Sequence, residues 1–243
     1  MRLAGKRTII TGGAAGLGRA LAEAFVAEGA HVLIGDLDVA ENGGNAAISG
    51  MRLDVAEASD WAAVLEEAEA RWGGVDILVN NAGIASRLTR IEDRTGEDWD
   101  RSMAVNVKGP FLGTRAVLPR FRAQGGGTIV NVSSVAGLGQ SQIMDPAYAC
   151  SKAALTMLTR VTAAQHAAEG VRCNAVHPGP IDSDLARAAY SDAEAFERRL
   201  ARVPMGRLAD MNEVVAAVLF LAGDESSYIT GVSLAVDGGA LVQ

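Results

Sequence analysis

Residues 11–18 decide the fold of this chain, and they read Thr11-Gly12-Gly13-Ala14-Ala15-Gly16-Leu17-Gly18. A short apolar run comes before this stretch and a helical pattern comes after it. Glycines let the backbone turn sharply and let a pyrophosphate approach closely at the start of a helix. A glycine cluster alone would indicate only a tight turn, but a strand, this turn and a helix in that order predict a dinucleotide-binding unit.

Short apolar runs alternate with longer helical patterns along the whole chain. The predicted strands are Thr8–Thr11, His31–Gly35, Gly50–Leu53, Ile77–Asn80, Thr128–Val132, Arg172–His177 and Ser233–Val236. The predicted helices are Gly16–Glu28, Trp61–Trp72, Trp99–Ala123, Ala147–Glu169 and Asn212–Leu221. This alternation predicts a single α/β domain over residues 1–243, a Rossmann-type doubly wound parallel sheet of about seven strands with helices on both faces.

Residues 182–205 fit this pattern poorly, because they are charged and helical at a place where little core is needed. An insertion there would lie over the carboxyl ends of the strands, where ligands bind in open α/β sheets. We therefore predict a substrate lid over residues 182–205, with a solvated surface excursion as the alternative.

The second predicted strand runs into Asp36, eighteen residues beyond Gly18. A carboxylate at this place can accept hydrogen bonds from the adenosine ribose hydroxyls and would repel a 2′-phosphate. Positions 15 and 37 hold Ala15 and Leu37, so neither offers a basic side chain to neutralise such a phosphate. The sequence thus predicts NAD rather than NADP as the cofactor, although Asp36 could also simply begin a turn.

Composition and charge exclude several other classes of protein. The chain has 22 basic and 29 acidic residues, and a net charge of −7 disfavours nucleic acid and anionic membranes as partners. No apolar run approaches the roughly 18 residues of a membrane span, and no secretory signal pattern stands at the start. The two cysteines, Cys150 and Cys173, predict reduced thiols in the cytoplasm rather than a disulfide framework. The three histidines lack metal-ligand spacing, so we expect no metal site.

Seven short motifs occur in order between about residue 5 and about residue 240. They are Thr11-Gly12-x-x-x-Gly16-x-Gly18, Asn80-Asn81-Ala82-Gly83, Asn106, Ser134, Tyr148-x-x-x-Lys152, Pro178-Gly179 and Asp237-Gly238-Gly239. In their order and spacing they resemble the motifs of the short-chain dehydrogenase/reductase family. That resemblance implies a nicotinamide-dependent oxidoreductase. It also implies a homotetramer, formed through the two long central helices and the C-terminal strand region.

The resemblance also assigns roles to individual residues. The implied catalytic residues are Asn106, Ser134, Tyr148 and Lys152. The implied cofactor contacts are Gly12, Gly16, Leu17, Gly18, Asp36, Leu37, Asp54, Val55, Asn81, Ala82, Gly83, Tyr148, Lys152, Pro178, Gly179, Ile181 and Ser183. Ordinary turns after strands remain the alternative for Asp54 and for residues 81–83, and Asn106 could instead bond the backbone locally. Ser134 lies fourteen residues before Tyr148, one more than the family spacing, so Ser133 is a weaker candidate.

Tyr148 and Lys152 are four residues apart, which places them on one face of a helix. Removing a hydride from an alcohol requires loss of the hydroxyl proton, and the group that takes this proton works best with a pKa near the operating pH. A free tyrosine has a pKa of about 10, and a neighbouring ammonium lowers it by favouring the phenolate. Ser134 can hydrogen-bond the substrate oxygen, and by resemblance Asn106 would bind a water that connects Lys152 to solvent.

We expect an NAD-dependent oxidoreductase that acts on a secondary alcohol or its ketone. One alternative is an NADPH-dependent 3-oxoacyl-thioester reductase, which Asp36 disfavours. The other is a noncatalytic NAD-sensing module, which the presence of both Tyr148 and Lys152 disfavours. The residues expected to face the substrate mix polar and apolar groups, and they are Ala85, Arg87, Gln140, Gln142, Met144, Leu185 and Tyr190. They favour a small, uncharged or mildly polar alcohol, unless Arg87 or Arg187 turns inward to bind an anionic group.

Overall fold

The computed structural model describes residues 1–39, 47–85, 90–139, 145–182, 197 and 200–242. Its strands are β1 (Arg7–Thr11), β2 (His31–Asp36), β3 (Ile48–Arg52), β4 (Ile77–Asn80), β5 (Gly127–Val132), β6 (Val171–Pro178) and β7 (Ser233–Val236). Its α-helices are α1 (Gly16–Ala27), α2 (Ala58–Trp72), α3 (Gly96–Met103), α4 (Gly109–Gln124), α5 (Pro146–His166) and α6 (Met211–Ala222). A π-helix, Ala104–Lys108, joins α3 to α4.

The described strands form one parallel sheet in the order β3-β2-β1-β4-β5-β6-β7. Side chains alternate between its two faces, so Ile9 packs in an apolar cluster with α2 and α4, whereas Ile10 packs in one with α1 and α6. Helices therefore cover both faces, which explains why the strands are near-continuous apolar runs. The predicted Rossmann-type sheet is confirmed.

The strand order reverses at β1, which has β2 on one side and β4 on the other. In open α/β sheets, the ligand crevice lies outside the carboxyl ends of the strands at such a switch point. The glycine-rich turn follows β1 and the segment Asn81–Gly83 follows β4, so the topology brings both predicted cofactor segments to this crevice.

The segment predicted as one helix, Trp99–Ala123, is two α-helices separated by the π-helix. Pro110 has no N–H, so it cannot donate the α-helical hydrogen bond to the carbonyl of Asn106. The π-helix lies directly before this missing donor. Asn106 lies within it, and its side chain is fully buried. The apolar periodicity of one long helix could not reveal this π-helical segment.

Of the predicted lid, only residues 182, 197 and 200–205 belong to the described part of the chain, so most of that prediction lies outside it. The end of the segment is tied to the closing glycine motif, because the N–H of Met205 donates to the carbonyl of Gly238 at 3.1 Å. Among the helices of the ranges given above, none is long and apolar enough to cross a membrane.

Candidate active site

The glycine-rich turn is shaped by two close backbone approaches. Gly12 has a φ of +65°, and a Cβ there would stand 2.8 Å from the Cα of Ala82. A Cβ on Gly18 would stand 1.9 Å from the carbonyl oxygen of Gly12. No side chain caps the start of α1, so the turn presents the amides of a helix N-terminus at the crevice. This arrangement suits a pyrophosphate.

Asn81 fastens the end of β4 to this turn. Its Nδ2 donates to the carbonyl oxygens of Thr11 at 2.9 Å and Gly12 at 3.0 Å. In return, the Oγ1 of Thr11 accepts from the backbone N–H groups of Asn81 and Ala82, both at 3.0 Å. The structure thus brings the predicted contacts Gly12, Asn81 and Ala82 together.

Asp36 ends β2 beside the same turn, and its Oδ2 accepts from the backbone N–H of Ala14 at 3.0 Å. The neighbouring Leu37 is exposed. The register of β2 and β3 pairs Asp36 with Arg52, a cation that the sequence reasoning missed. Arg52 donates to the Oδ2 of Asp60 at 3.0 Å. Only the strand pairing could have revealed it, because Arg52 lies sixteen positions from Asp36 in the sequence.

Asp54 and Val55, after β3, have well-defined protein partners. Asp54 closes a local turn, in which its Oδ1 accepts from the N–H of Ala56 at 2.9 Å. Val55 is largely buried against the start of α4, where a Cβ on Gly109 would stand 2.7 Å from its Cγ2. Both residues remain at the cofactor edge of the sheet, and their contacts with adenine stay a prediction.

The structure favours Ser134 over Ser133 as the reactive hydroxyl. The Oγ of Ser133 is 3.1 Å from the carbonyl oxygen of Lys152, to which it donates, and 3.3 Å from the Oγ1 of Thr156, so it serves to fasten β5 to α5. The Oγ of Ser134 accepts from the N–H of Ala136 at 3.2 Å, which leaves its own proton for another acceptor. A short 3-10 turn, Val135–Leu138, takes up part of the longer spacing to Tyr148.

Lys152 lies one turn after Tyr148 on α5, and its Nζ is 5.7 Å from the centre of the Tyr148 ring. The Nζ donates to the carbonyl oxygen of Val132 at 2.9 Å. Its side chain is almost completely buried, and this burial lowers the pKa of Lys152 to about 8. Gly83 completes this corner, because a Cβ there would stand 3.4 Å from the Nζ.

Asn106 connects the π-helix to two neighbouring segments. Its Nδ2 donates to the carbonyl of Ile84 at 2.9 Å and to the Oγ of Ser151 at 3.0 Å. Its Oδ1 accepts from the N–H of Ile84 at 2.9 Å. Its side chain therefore bonds a distant backbone segment rather than its own helix, and it positions the loop after Gly83. The predicted water relay stays a prediction.

His177 lies directly below Ser134, a contact that the sequence reasoning did not foresee. Its Nδ1 is 2.8 Å from the carbonyl oxygen of Ser134, and the side chain is fully buried. Burial lowers the pKa of His177, so the neutral imidazole is favoured and its Nδ1–H donates to that carbonyl. The bond joins the end of β6 to the turn that carries Ser134.

The remaining predicted contacts lie at and after the end of β6 and at the start of α1. A Cβ on Gly179 would stand 2.8 Å from the Cα of Asp237, so the Pro178-Gly179 turn packs closely on the closing glycine motif. Ile181 forms an isolated bridge with Ala209. Gly16 and Leu17 begin α1. Ser183 lies outside the described residues, as do six expected substrate contacts, namely Arg87, Gln140, Gln142, Met144, Leu185 and Tyr190.

Comparison with known proteins covers the whole site. A family model described as enoyl-(acyl carrier protein) reductase matches residues 12–240. The chain is 41% identical to 2-(S)-hydroxypropyl-CoM dehydrogenase 3 of Xanthobacter autotrophicus, over 98% of this chain and 97% of the relative. It is 39% identical to the 3-oxoacyl-(acyl-carrier-protein) reductase FabG of Thermotoga maritima, over 100% of both chains. The crystal structure of gox2181 has a TM-score of 0.95 at 34% identity, and the match covers 100% of this chain and 98% of that one.

Proposed function

The chain belongs to the short-chain dehydrogenase/reductase family and is an oxidoreductase, and we propose that it uses NAD to interconvert a secondary alcohol and its ketone, with Tyr148 as general acid and base. The observation that carries the proposal is the buried ammonium of Lys152, 5.7 Å from the ring of Tyr148. This pair stands beside the strand end that carries Ser134. Together the three residues supply a proton carrier, Tyr148, a positive charge that favours its ionised form, Lys152, and a hydrogen-bond donor, Ser134.

The residues around the crevice fit a dinucleotide. Gly12 and Gly18 let the turn pack closely on itself and on Ala82, where a Cβ would overlap the backbone, and the uncapped start of α1 offers amides to the pyrophosphate. Asp36 would accept from the adenosine ribose, and Lys152 would hold the nicotinamide ribose. NAD, when bound, supplies the hydride chemistry, and the protein contributes orientation and electrostatics.

Proton transfer is the task of side chains on α5 and in the turn after β5. In oxidation, the substrate hydroxyl gives its proton to the Oη of Tyr148, and in reduction the same group returns it. The hydroxyl of Ser134 donates to the substrate oxygen and stabilises the charge that develops there. Since the pKa of Lys152 is about 8, the ammonium predominates at pH 7, where its field favours the tyrosine phenolate.

The decisive experiment compares Tyr148→Phe with Tyr228→Phe, a matched variant at a fully exposed tyrosine. Secondary alcohols and ketones are assayed with both nicotinamide cofactors, and NADH binding is followed by fluorescence. We expect Tyr148→Phe to lower kcat by about 10²–10⁴-fold while NADH still binds, because only the acid–base group is lost. Undiminished turnover by Tyr148→Phe would contradict the proposal. Cofactor binding by the wild type without turnover of any substrate would favour the NAD-sensing module.

An NADPH-dependent 3-oxoacyl-thioester reductase is the second candidate, because the chain is 39% identical to a 3-oxoacyl-(acyl-carrier-protein) reductase over its full length. Arg52, the register neighbour of Asp36, could approach a 2′-phosphate if it left Asp60. The carboxylate of Asp36 is bonded to the turn itself and would repel a 2′-phosphate, so NAD remains our proposal. Tighter binding of NADPH than of NADH, with turnover of a 3-oxoacyl thioester, would make this second candidate the function.

The homotetramer and the cytoplasmic location are also proposals. Phe111 on α4 and the pair Met157 and Val161 on α5 expose apolar side chains, as an interface through these two helices requires. Both cysteines are free, which suits a reducing compartment. Light scattering of the purified protein tests the assembly.

A further inference from the structure

A buried ion pair stands at the start of the helix that carries Tyr148. Arg94 precedes α3 and Asp145 precedes α5, and the guanidinium Nη2 of Arg94 pairs with the Oδ2 of Asp145. Their side chains are only 8% and 2% exposed, respectively. A buried pair of this kind contributes little net stability, but loss of either partner leaves an uncompensated charge inside the protein. The role of the pair must therefore be sought in the groups beside it.

The two oxygens of the Asp145 carboxylate have different tasks. The Oδ1 accepts from the backbone N–H of Tyr148 at 2.9 Å and caps α5, while the Oδ2 faces Arg94. The backbone carbonyl of Asp145 accepts from the N–H of Ala149 at 2.9 Å. The carboxylate thus holds the first turn of α5, and with it the backbone of Tyr148, in place.

Arg94 is itself held from the other side. Its Nη1 lies 3.3 Å from the Oδ2 of Asp98 on α3, whose backbone N–H donates to the Oγ1 of Thr95. The guanidinium therefore links the start of α3 to the start of α5. Its two members, Arg94 and Asp145, belong neither to the glycine turn nor to the Tyr148–Lys152 pair, so the link is a separate feature of the site.

We propose that Arg94 and Asp145 are positioning residues that fix the first turn of α5 and keep the charge beside Tyr148 balanced, so that the tyrosine ionises under the control of Lys152. This inference rests on the proposed acid–base role of Tyr148. The Asp145 carboxylate is bonded to the backbone N–H of Tyr148, and unpaired its negative charge would oppose the phenolate. The guanidinium cancels that effect.

Other charged and titratable groups bear on this end of α5. They include Lys152 on the helix, Asp98 on α3 and His177 on β6. Lys152 favours the phenolate, Asp98 screens Arg94, and the neutral form of His177 adds no charge. The Arg94–Asp145 pair offers two opposite charges, and each can be removed by its own substitution.

The test is a cycle of Arg94→Met, Asp145→Asn and the double variant. The ultraviolet absorbance of ionised tyrosine is titrated, and the curve of each protein is corrected with its Tyr148→Phe counterpart to isolate Tyr148. This readout needs no substrate. We expect Arg94→Met to raise the pKa of Tyr148 by about half to one unit, because it leaves the Asp145 carboxylate unpaired; this is less than the shift of about 1–3 units that a charge within about 4–6 Å produces.

Asp145→Asn should shift the pKa of Tyr148 downward, by less, because Asp98 still faces the remaining guanidinium. The double variant should return it close to the wild-type value, and Arg94→Lys should also stay close to it. Arg7→Met is the matched control, since Arg7 pairs with Asp76 at the amino ends of the strands, far from Tyr148. A merely structural pair would destabilise the protein without shifts of opposite sign.

Shifts in the same direction in both single variants, or no shift in either, would overturn the proposal. If Arg94→Met does not fold, Asp145→Asn measured against the double variant still decides the sign. The outcome is separable from that of the proposed function: turnover by Tyr148→Phe would remove the acid–base role itself. An inactive Tyr148→Phe without these shifts would remove only the role of Arg94 and Asp145.

Discussion

The two halves of the crevice are built by different means. At the cofactor end, around Gly12 and Gly18, the structure relies on the absence of side chains and on backbone groups. At the tyrosine end, it relies on buried polar side chains, among them Lys152 and Asn106. In our proposal, the first half binds the cofactor through backbone groups that this close packing holds in place. The second half, in the same proposal, sets the proton affinity of Tyr148 by placing a charge in a poorly solvated environment.

This difference predicts that substitutions in the two halves fail in opposite ways. A side chain added at the cofactor end should weaken binding and leave the acid–base chemistry intact. Removing the buried charge of Lys152 at the tyrosine end should slow the chemistry and relieve the protein of that charge. The variants below test this contrast.

Lys152→Met should have the largest effect on activity. We expect kcat to fall by about 10²-fold or more, because the tyrosine phenolate loses its counter-charge. The same variant should be more stable at pH 7 by about 2 kcal/mol, since burial lowers the pKa of Lys152 from 10.5 to about 8 and loss of the bond to Val132 offsets part of the gain. Denaturant titration measures the free energy of unfolding.

The pH dependence gives a second check on Lys152. Between pH 8 and 10.5 the unfolded chain binds more protons at Lys152 than the folded protein does, so wild-type stability should rise with pH across this window relative to Lys152→Met. If the difference in unfolding free energy between the two proteins stays constant with pH, burial does not lower the pKa of Lys152.

Gly18→Ala tests the cofactor end of the crevice. Its Cβ would stand 1.9 Å from the carbonyl oxygen of Gly12, so the turn must shift and we expect NADH affinity to fall by about 100-fold, which corresponds to roughly 3 kcal/mol. Gly96→Ala is the matched control, because a Cβ there meets nothing within 4 Å. Equal NADH affinity in the Gly18→Ala variant and the control would contradict the steric account.

Asp36→Ser should have the smallest effect, because it changes the choice of cofactor rather than the chemistry. Removing the carboxylate should improve NADPH binding relative to NADH by about tenfold, or about 1.4 kcal/mol. If Arg52 supplies the charge for the 2′-phosphate, Asp36→Ser with Arg52→Gln should lose most of this gain. An unchanged ratio of the two affinities in Asp36→Ser would show that Asp36 does not select the cofactor.

The sequence by itself determined the α/β class and both ends of the crevice. The alternation of apolar runs with helical patterns is written in local periodicity, which does not depend on distant residues. The spacing from Tyr148 to Lys152 is also local, because one helical turn places the two on the same face. Gly12 and Gly18 could be recognised for the same reason, since a strand, a turn and a helix follow one another in the chain.

Only the tertiary structure decided which polar groups meet across the chain. Arg94 and Asp145 are far apart in sequence, and the packing of α3 against α5 joins them. Arg52 is the register partner of Asp36 across β2 and β3, and Ser133 is distinguished from Ser134 by its bond to α5. These contacts depend on the register and the orientation of packed elements, and no local periodicity encodes them, because their energy arises only after distant segments have been brought together and dehydrated.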